Sequence, residues 1–239
     1  MTLYSVTPLC IGVNETDQGI MTYQRGYGKR IHLPIYAFLL RGGGENILVD
    51  TGLSDFMVPE DLPGILGFPV LPFEEALAAH GLTPEDVSLV IHTHLHNDHC
   101  ENDALCTRAK VIVQRAELDF FRNPHPLDHR YYPDLLDGCE EVEAIEGEAT
   151  PRPGITLLPT PGHTPGGQTV IVETKAGRVV ITGFCCNGEN FPKTGPAVAS
   201  GVHTDAIAAW ESAQRVKTLG GLLLPLHDIA VGRRGTIGG

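Results

Sequence analysis

No stretch of this chain stays apolar over the ~20 residues that a membrane-spanning helix requires, and the amino terminus lacks the charged-then-apolar pattern of a secretory leader. The expectation is a soluble, cytoplasmic protein that does not engage a membrane. Basic residues are scarce: 17 Lys and Arg stand against 29 Asp and Glu, for a formal charge of -12, and there is no Lys/Arg-rich block. That balance argues against a nucleic-acid partner and favours a small neutral or cationic substrate. Cysteine occurs six times, at Cys10, Cys100, Cys106, Cys139, Cys185 and Cys186, without the density or spacing of a disulfide scaffold. We read them as thiols, two or three of them near a site. Repeats, low-complexity tracts and dividing linkers are also missing, so residues 1–239 are expected to form a single domain with a sizeable core.

The opening third reads as β: Leu3 to Val13, Ile31 to Arg41 and Asn46 to Asp50, with Gly42, Gly43 and Gly44 turning between the last two. Phe73 to His80 has helical spacing, and Thr83 to Asp86 makes a helical turn that leads into an apolar strand, Val87 to Ile91. Further short strands are expected at Val111 to Val113, Glu140 to Ala144, Ile155 to Pro159, Thr169 to Glu173 and Val179 to Thr182, with a helix over Ala116 to Phe121. A last helix, capped by Thr204 and ended by Gly220, carries Ile207, Trp210, Ala213 and Val216 at a 3.6 period, which reads as a core-facing stripe. The Pro- and Gly-rich apolar segment Phe56 to Leu71 suits either a loop over a pocket or a surface loop pinned on the core. The alternation of strands with single helices suggests two mixed sheets enclosed by helices.

What the chain does have is Thr93-His-Leu-His-Asn-Asp-His99, four candidate metal ligands spaced His-x-His-x-Asp-His on the loop past a buried strand. Packing His94, His96, Asp98 and His99 together without a metal would leave polar groups in need of partners. Imidazole nitrogens with a carboxylate oxygen suit zinc, and also iron, manganese or cobalt.

Three further elements accompany this motif in order: Asp50-Thr51-Gly52 after a strand, Pro161-Gly-His163-Thr-Pro-Gly166, and His227-Asp228 after the apolar run Leu222 to Leu226. Together they resemble the metallo-β-lactamase superfamily, and the segment Leu33 to Gly52 with the terminal His-Asp pair is most similar to its N-acyl-homoserine lactonase branch. The resemblance implies an α/β (α+β) fold, a four-layer αβ/βα sandwich of two mixed β-sheets flanked by helices. It implies a first metal on His94, His96 and His163 and a second on Asp98, His99 and His227. It also implies that Asp50 orients a histidine ligand and fixes its hairpin.

One element departs from that pattern. The superfamily places a metal-bridging aspartate after a strand ending in Thr-Gly, where this chain reads Thr182-Gly-Phe-Cys-Cys186. Three outcomes stay open: a thiolate from Cys185 or Cys186 joins the metals, two ions are held without a protein bridge, or only one site fills well. The lactonases also carry a tyrosine shortly after that aspartate, and residues 186–191 hold none; Tyr131 or Tyr132, with His125 or His129, would have to supply a group from another loop. His92 is kept out of the ligand set, and Cys100 is expected to pack beneath the site.

The function expected from this reading is hydrolysis of an ester or lactone by metal-activated water, with one or two divalent ions, zinc first, and Asp98 moving the proton to the leaving oxygen. An acyl tail would lie under Phe56 to Leu71. The alternatives are a di-iron or mononuclear iron redox enzyme and a non-catalytic metal-binding or small-molecule-sensing domain. A small-molecule substrate is the expected partner, and assembly as a homodimer is left open.

Overall fold

The computed structural model describes residues 2–54 and 58–239. Two long strands, β1 (Ser5–Asp17) and β2 (Arg30–Gly42), pair antiparallel around the one-turn helix α1 (Gln18–Met21). β3 (Glu45–Val49) returns along β2 through Gly43 and Gly44, whose φ of 62° and 82° suit residues without a Cβ. Then come α2 (Leu62–Leu66), α3 (Phe73–Ala78), β4 (Leu89–Ile91), α4 (Asn97–Cys100), β5 (Lys110–Gln114), α5 (Arg115–Arg122) and β6 (Glu141–Ile145). β4, β5 and β6 add in parallel to β3, completing a mixed sheet in the order β1-β2-β3-β4-β5-β6.

The second sheet is built from β7 (Ala149–Arg152), β8 (Ile155–Pro159), β9 (Gln168–Thr174) and β10 (Gly177–Ile181), an antiparallel meander. After the helix α6 (Ala206–Thr218), β11 (Leu222–Leu224) joins in parallel with β10, and α7 (Ile229–Gly232) follows.

Strand alternation sorts the apolar side chains into layers. Tyr36, Phe38 and Leu40 of β2 meet Val170, Val172 and Ile181 of the second sheet in one buried cluster between the sheets. The intervening residues Ala37 and Leu39 face outward and are covered by Phe73 and Leu77 of α3. On the far side, Ile171 and Val180 are covered by Ala213 and Val216 of α6. The layers therefore run helix, sheet, sheet, helix, as the αβ/βα expectation required.

Two local expectations are corrected. α6 is capped by Asp205, whose carboxylate accepts from the Ile207 and Ala208 amides at 2.9 and 3.0 Å, while Thr204 bonds backward to the Gly162 carbonyl. Asp205 competes better because its two-atom reach meets both orphan amides of the first turn. Its buried face is Ala209, Ser212, Ala213 and Val216; Ile207 and Trp210 are 73% and 47% exposed. The second half of the expected stripe, Ala213 and Val216, is buried as expected, while in its first half Ala209 and Ser212 face the core in place of Ile207 and Trp210. Of the two arrangements open to Phe56 to Leu71, the described part adopts the one pinned on the core: α2 forms in it, and Leu62, Leu66, Phe68 and Val70 join the cluster between the sheets. Phe56 and Met57 lie outside the described residues.

Candidate metal-binding site

The carboxyl ends of β3, β4, β8, β10 and β11 meet at one end of the sandwich. Asp50 directly follows β3, the Thr93 to His99 motif follows β4, His163 lies on the loop after β8, Phe184 to Cys186 follow β10, and His227 follows β11. Short loops off a rigid double sheet hold these side chains together.

Two donor groups result. One ligand atom each from His94, His96 and His163 lie within 4.8 Å of one another, and one each from Asp98, His99 and His227 do likewise. All five histidines are buried, and they open on a shared cavity of about 200 Å³ walled also by Leu33, Arg130, Cys185 and Val202.

The hydrogen bonds fix which nitrogen of each ring carries its proton. His163 Nδ1 donates to the Val202 carbonyl at 2.7 Å and His227 Nδ1 to the Pro34 carbonyl at 2.9 Å. His99 Nδ1 donates to Asp50 Oδ2 at 2.8 Å. Thr93 Oγ1 spends its own proton on Asp50 Oδ2 and accepts from His94 Nδ1 at 3.0 Å. In the neutral rings Nε2 is then a bare lone pair in all four. His96 is reversed: its Nε2 donates to Asp128 Oδ2 at 3.2 Å, which leaves Nδ1 bare.

The bare atoms crowd together. His94 Nε2 and His163 Nε2 are 3.3 Å apart, and the buried His99 Nε2 has no hydrogen-bond partner among the described residues. Lone pairs in this arrangement repel unless a cation lies between them, so the donor chemistry fits divalent metal ions.

The protonation preferences of four of the five rings agree. Burial, helped by neighbouring imidazoles, holds His94 and His163 well below the ordinary histidine range. Burial also lowers His96, and it brings His227 to about 4 although Asp98 pulls the other way. His99 alone is raised: burial opposes its charge, but Asp98 and Asp50 outweigh it. Burial likewise disfavours charge on Asp98, yet His99 and His227 hold its carboxyl below the usual carboxylate range.

Asp50 organises the cluster from below. It sits in the left-handed region at φ 61°, which aspartate tolerates better than most residues. Its Oδ1 accepts from the Thr93 amide at 2.8 Å, and its Oδ2 takes Thr93 Oγ1 and His99 Nδ1. His92 packs beneath, 2.6 Å from Asp103 Oδ2 and 3.5 Å from Asp50 Oδ1, and turned away from the two donor groups. Cys100 is buried, with its thiol against the His96 carbonyl at 3.4 Å.

The Thr182 to Cys186 segment splits by alternation. Phe184 and Cys186 turn into the cluster under α6, where Cys186 Sγ lies 3.1 Å from Thr182 Oγ1. Cys185 turns the opposite way into the wall of the cavity, but its thiol points to Met21 Sδ at 3.7 Å and belongs to neither donor group. The structure thus brings six of the named candidates together and places Cys185 beside them, while Cys186 stays apart.

Several supporting residues were not anticipated. Glu117, buried on α5, accepts from the Leu95 amide at 3.0 Å, the Gly166 amide at 3.0 Å and Tyr131 Oη at 2.8 Å, and so ties the motif loop to the His163 loop. Gly166 allows this contact, since a Cβ there would stand 2.1 Å from the Glu117 nitrogen. An acid on the same helix face as Leu118 and Phe121 was the available signal. Gln168 carries the Thr93 and His92 carbonyls, through its amide nitrogen at 2.8 Å and Nε2 at 2.7 Å. Tyr131 stacks edge-on against His96 with its hydroxyl spent on Glu117, and Tyr132 is 48% exposed.

Comparison with known proteins gives the same picture. Residues 30–219 match the profile of the metallo-beta-lactamase superfamily. An N-acyl homoserine lactonase from a Bacillus species is 32% identical over 168 residues, 65% of this chain and 65% of that protein. The match therefore spans a little under two thirds of that lactonase. The mouse metallo-beta-lactamase domain-containing protein 1 is 34% identical over 158 residues, covering 64% of this chain and 53% of its own length. Among solved structures, an N-acyl homoserine lactone hydrolase with the product N-hexanoyl-L-homoserine at its catalytic metal centre superposes with a TM-score of 0.78. It is 28% identical and covers 98% of this chain and 96% of that one.

Proposed function

Because the chain belongs to the metallo-beta-lactamase superfamily, we propose that it is a metal-dependent hydrolase of esters or lactones, with N-acyl homoserine lactones the first substrates to try. The observation that carries this reading is the pair of donor groups with bare ring nitrogens facing inward. His94, His96 and His163 would hold one ion, and Asp98, His99 and His227 the other; zinc suits this nitrogen and carboxylate set. Ions held there supply Lewis acidity, which polarises a carbonyl and makes water a nucleophile near neutral pH.

The protein's own residues do the rest. Asp50, Thr93 and the Val202 and Pro34 carbonyls fix ring orientation, so no reorganisation is needed when substrate arrives. Asp98, whose side chain is 20% exposed where it meets the cavity, accepts a proton and passes it to the departing alkoxide oxygen. Leu33, Ile20 and Val202 form an apolar part of the wall and offer surface to an alkyl group.

The test is hydrolysis of N-hexanoyl homoserine lactone, followed by proton release, with zinc-loaded protein and with protein stripped by a chelator. Turnover that disappears on stripping and returns with zinc is expected. Inertness of the fully loaded protein toward lactones and simple esters alike would overturn the reading.

A further inference from the structure

We propose that Arg130 contacts the substrate, its guanidinium holding the scissile carbonyl oxygen and the negative charge that develops there. This rests on the hydrolase reading above.

Candidates named in the sequence reading are engaged elsewhere. In the stretch after β10, the Cys185 thiol meets Met21, Asn187 bonds Gln18, and Asn190 Nδ2 donates to the Met21 and Val198 carbonyls. Tyr131 gives its hydroxyl proton to Glu117. Arg130 is the one lysine or arginine among the described residues that line the donor cavity.

It is also built into the site. The Asn97 amide, inside the metal-binding motif, donates to the Arg130 carbonyl at 2.8 Å. Asp128 takes Arg130 Nε at 2.8 Å and Nη2 at 2.7 Å, and the same carboxylate accepts from His96 Nε2. Two of the three guanidinium nitrogens are thereby fixed, and Nη1 makes no hydrogen bond among the described residues. A rigid fork with one open nitrogen is a preorganised donor.

Arg130 stands between two spaces. It lines both the donor cavity and a neighbouring one of about 420 Å³ formed with Phe120, Leu127, Val202 and His203. A scissile carbonyl at Arg130 would thus have the donor groups on one side and, on the other, room for the substrate's N-acyl chain. In the hydrolysis, water adds to the scissile carbonyl carbon and the ester C–O bond of the lactone breaks, its electron pair leaving on the alkoxide oxygen; of the two water protons, one goes to that oxygen and the other is released to solvent. The product is a carboxylate, fully charged where the carbonyl was, so Arg130 should hold product as well.

The experiment compares zinc-loaded wild type with Arg130→Met and Arg130→Lys, with metal content measured on each. With N-hexanoyl homoserine lactone, kcat in Arg130→Met should fall by about 100-fold, in the range for loss of one oxyanion donor, with metal content unchanged and KM within a few-fold. Arg130→Lys should recover part of kcat. A kcat within threefold of wild type, or a loss that follows metal content, would overturn the proposal. Calorimetry with N-hexanoyl-L-homoserine, which needs no turnover, separates this from failure of the hydrolase reading. Affinity at least tenfold weaker in Arg130→Met at equal metal content is expected; binding by wild type with equal affinity in Arg130→Met would overturn the role of Arg130, and no binding by wild type would overturn the lactone reading and the proposal with it.

Discussion

His94 Nε2 and His163 Nε2 face each other across 3.3 Å while the opposite nitrogen of each ring is held by an oxygen of the protein. Those outer bonds choose the tautomer, and the tautomer leaves two lone pairs converging. Two lone pairs so placed are relieved by a cation between them, which is why the donor set fits a metal ion.

Asp50 should matter to the metal more than to the fold. Asp50→Asn keeps the volume but removes the anion that orders His99 and Thr93. Zinc affinity, measured by competition with a chromophoric chelator, should fall by about 10- to 100-fold. Unchanged affinity would mean that the His99 orientation is set elsewhere.

The buried pair His92 and Asp103 predicts an alkaline limit to stability. Burial opposes charge on His92, but Asp103 and Asp50 outweigh it and raise its pKa to about 10 from 6.5. A proton held more tightly in the folded state stabilises fully below pH 6.5, and that contribution is lost as pH rises through about 10. Denaturant midpoints of metal-stripped protein should therefore decline across that interval. Asp103→Asn should lower stability near pH 7 by about 3 kcal/mol, as expected when one partner of a buried pair is removed, and should flatten the alkaline decline.

The segment after β10 predicts opposite outcomes for adjacent substitutions. Phe184→Asp would set a carboxylate among Leu158, Val180 and Ala213, and should cost about 3 kcal/mol or more in urea unfolding. Cys185→Asp would put the carboxylate in the cavity wall and should keep the fold while tightening zinc retention. If Phe184→Asp is the variant that gains metal affinity, the alternation described here is wrong.

Much of this was legible in the sequence because it rests on period and punctuation. The order of strands, the motif loop after β4 and the single histidine between Gly162 and Gly166 all lie where glycine, proline and strand ends leave the backbone free. What was hidden depends on phase and on distant pairing. The face of α6 turned on small residues, Ala209 and Ser212, that carry little hydrophobic signal. Glu117 acquires its role only where α5 meets the Leu95 and Gly166 loops, and Asp128 and Arg130 only once the loop of residues 123–132 folds back onto Asn97 and His96, a contact 32 residues apart in the case of Asp128 and His96. The direction of the Cys185 side chain needed the register of β10, which the sequence left one residue uncertain.

The most direct test of the account is metal per chain, by mass spectrometry, in zinc-loaded wild type, His94→Ala and His227→Ala. Two donor groups predict about two tightly held ions in wild type, with the first group emptied in His94→Ala and the second in His227→Ala. Metal content that is negligible in wild type, or unchanged by both substitutions, would contradict it.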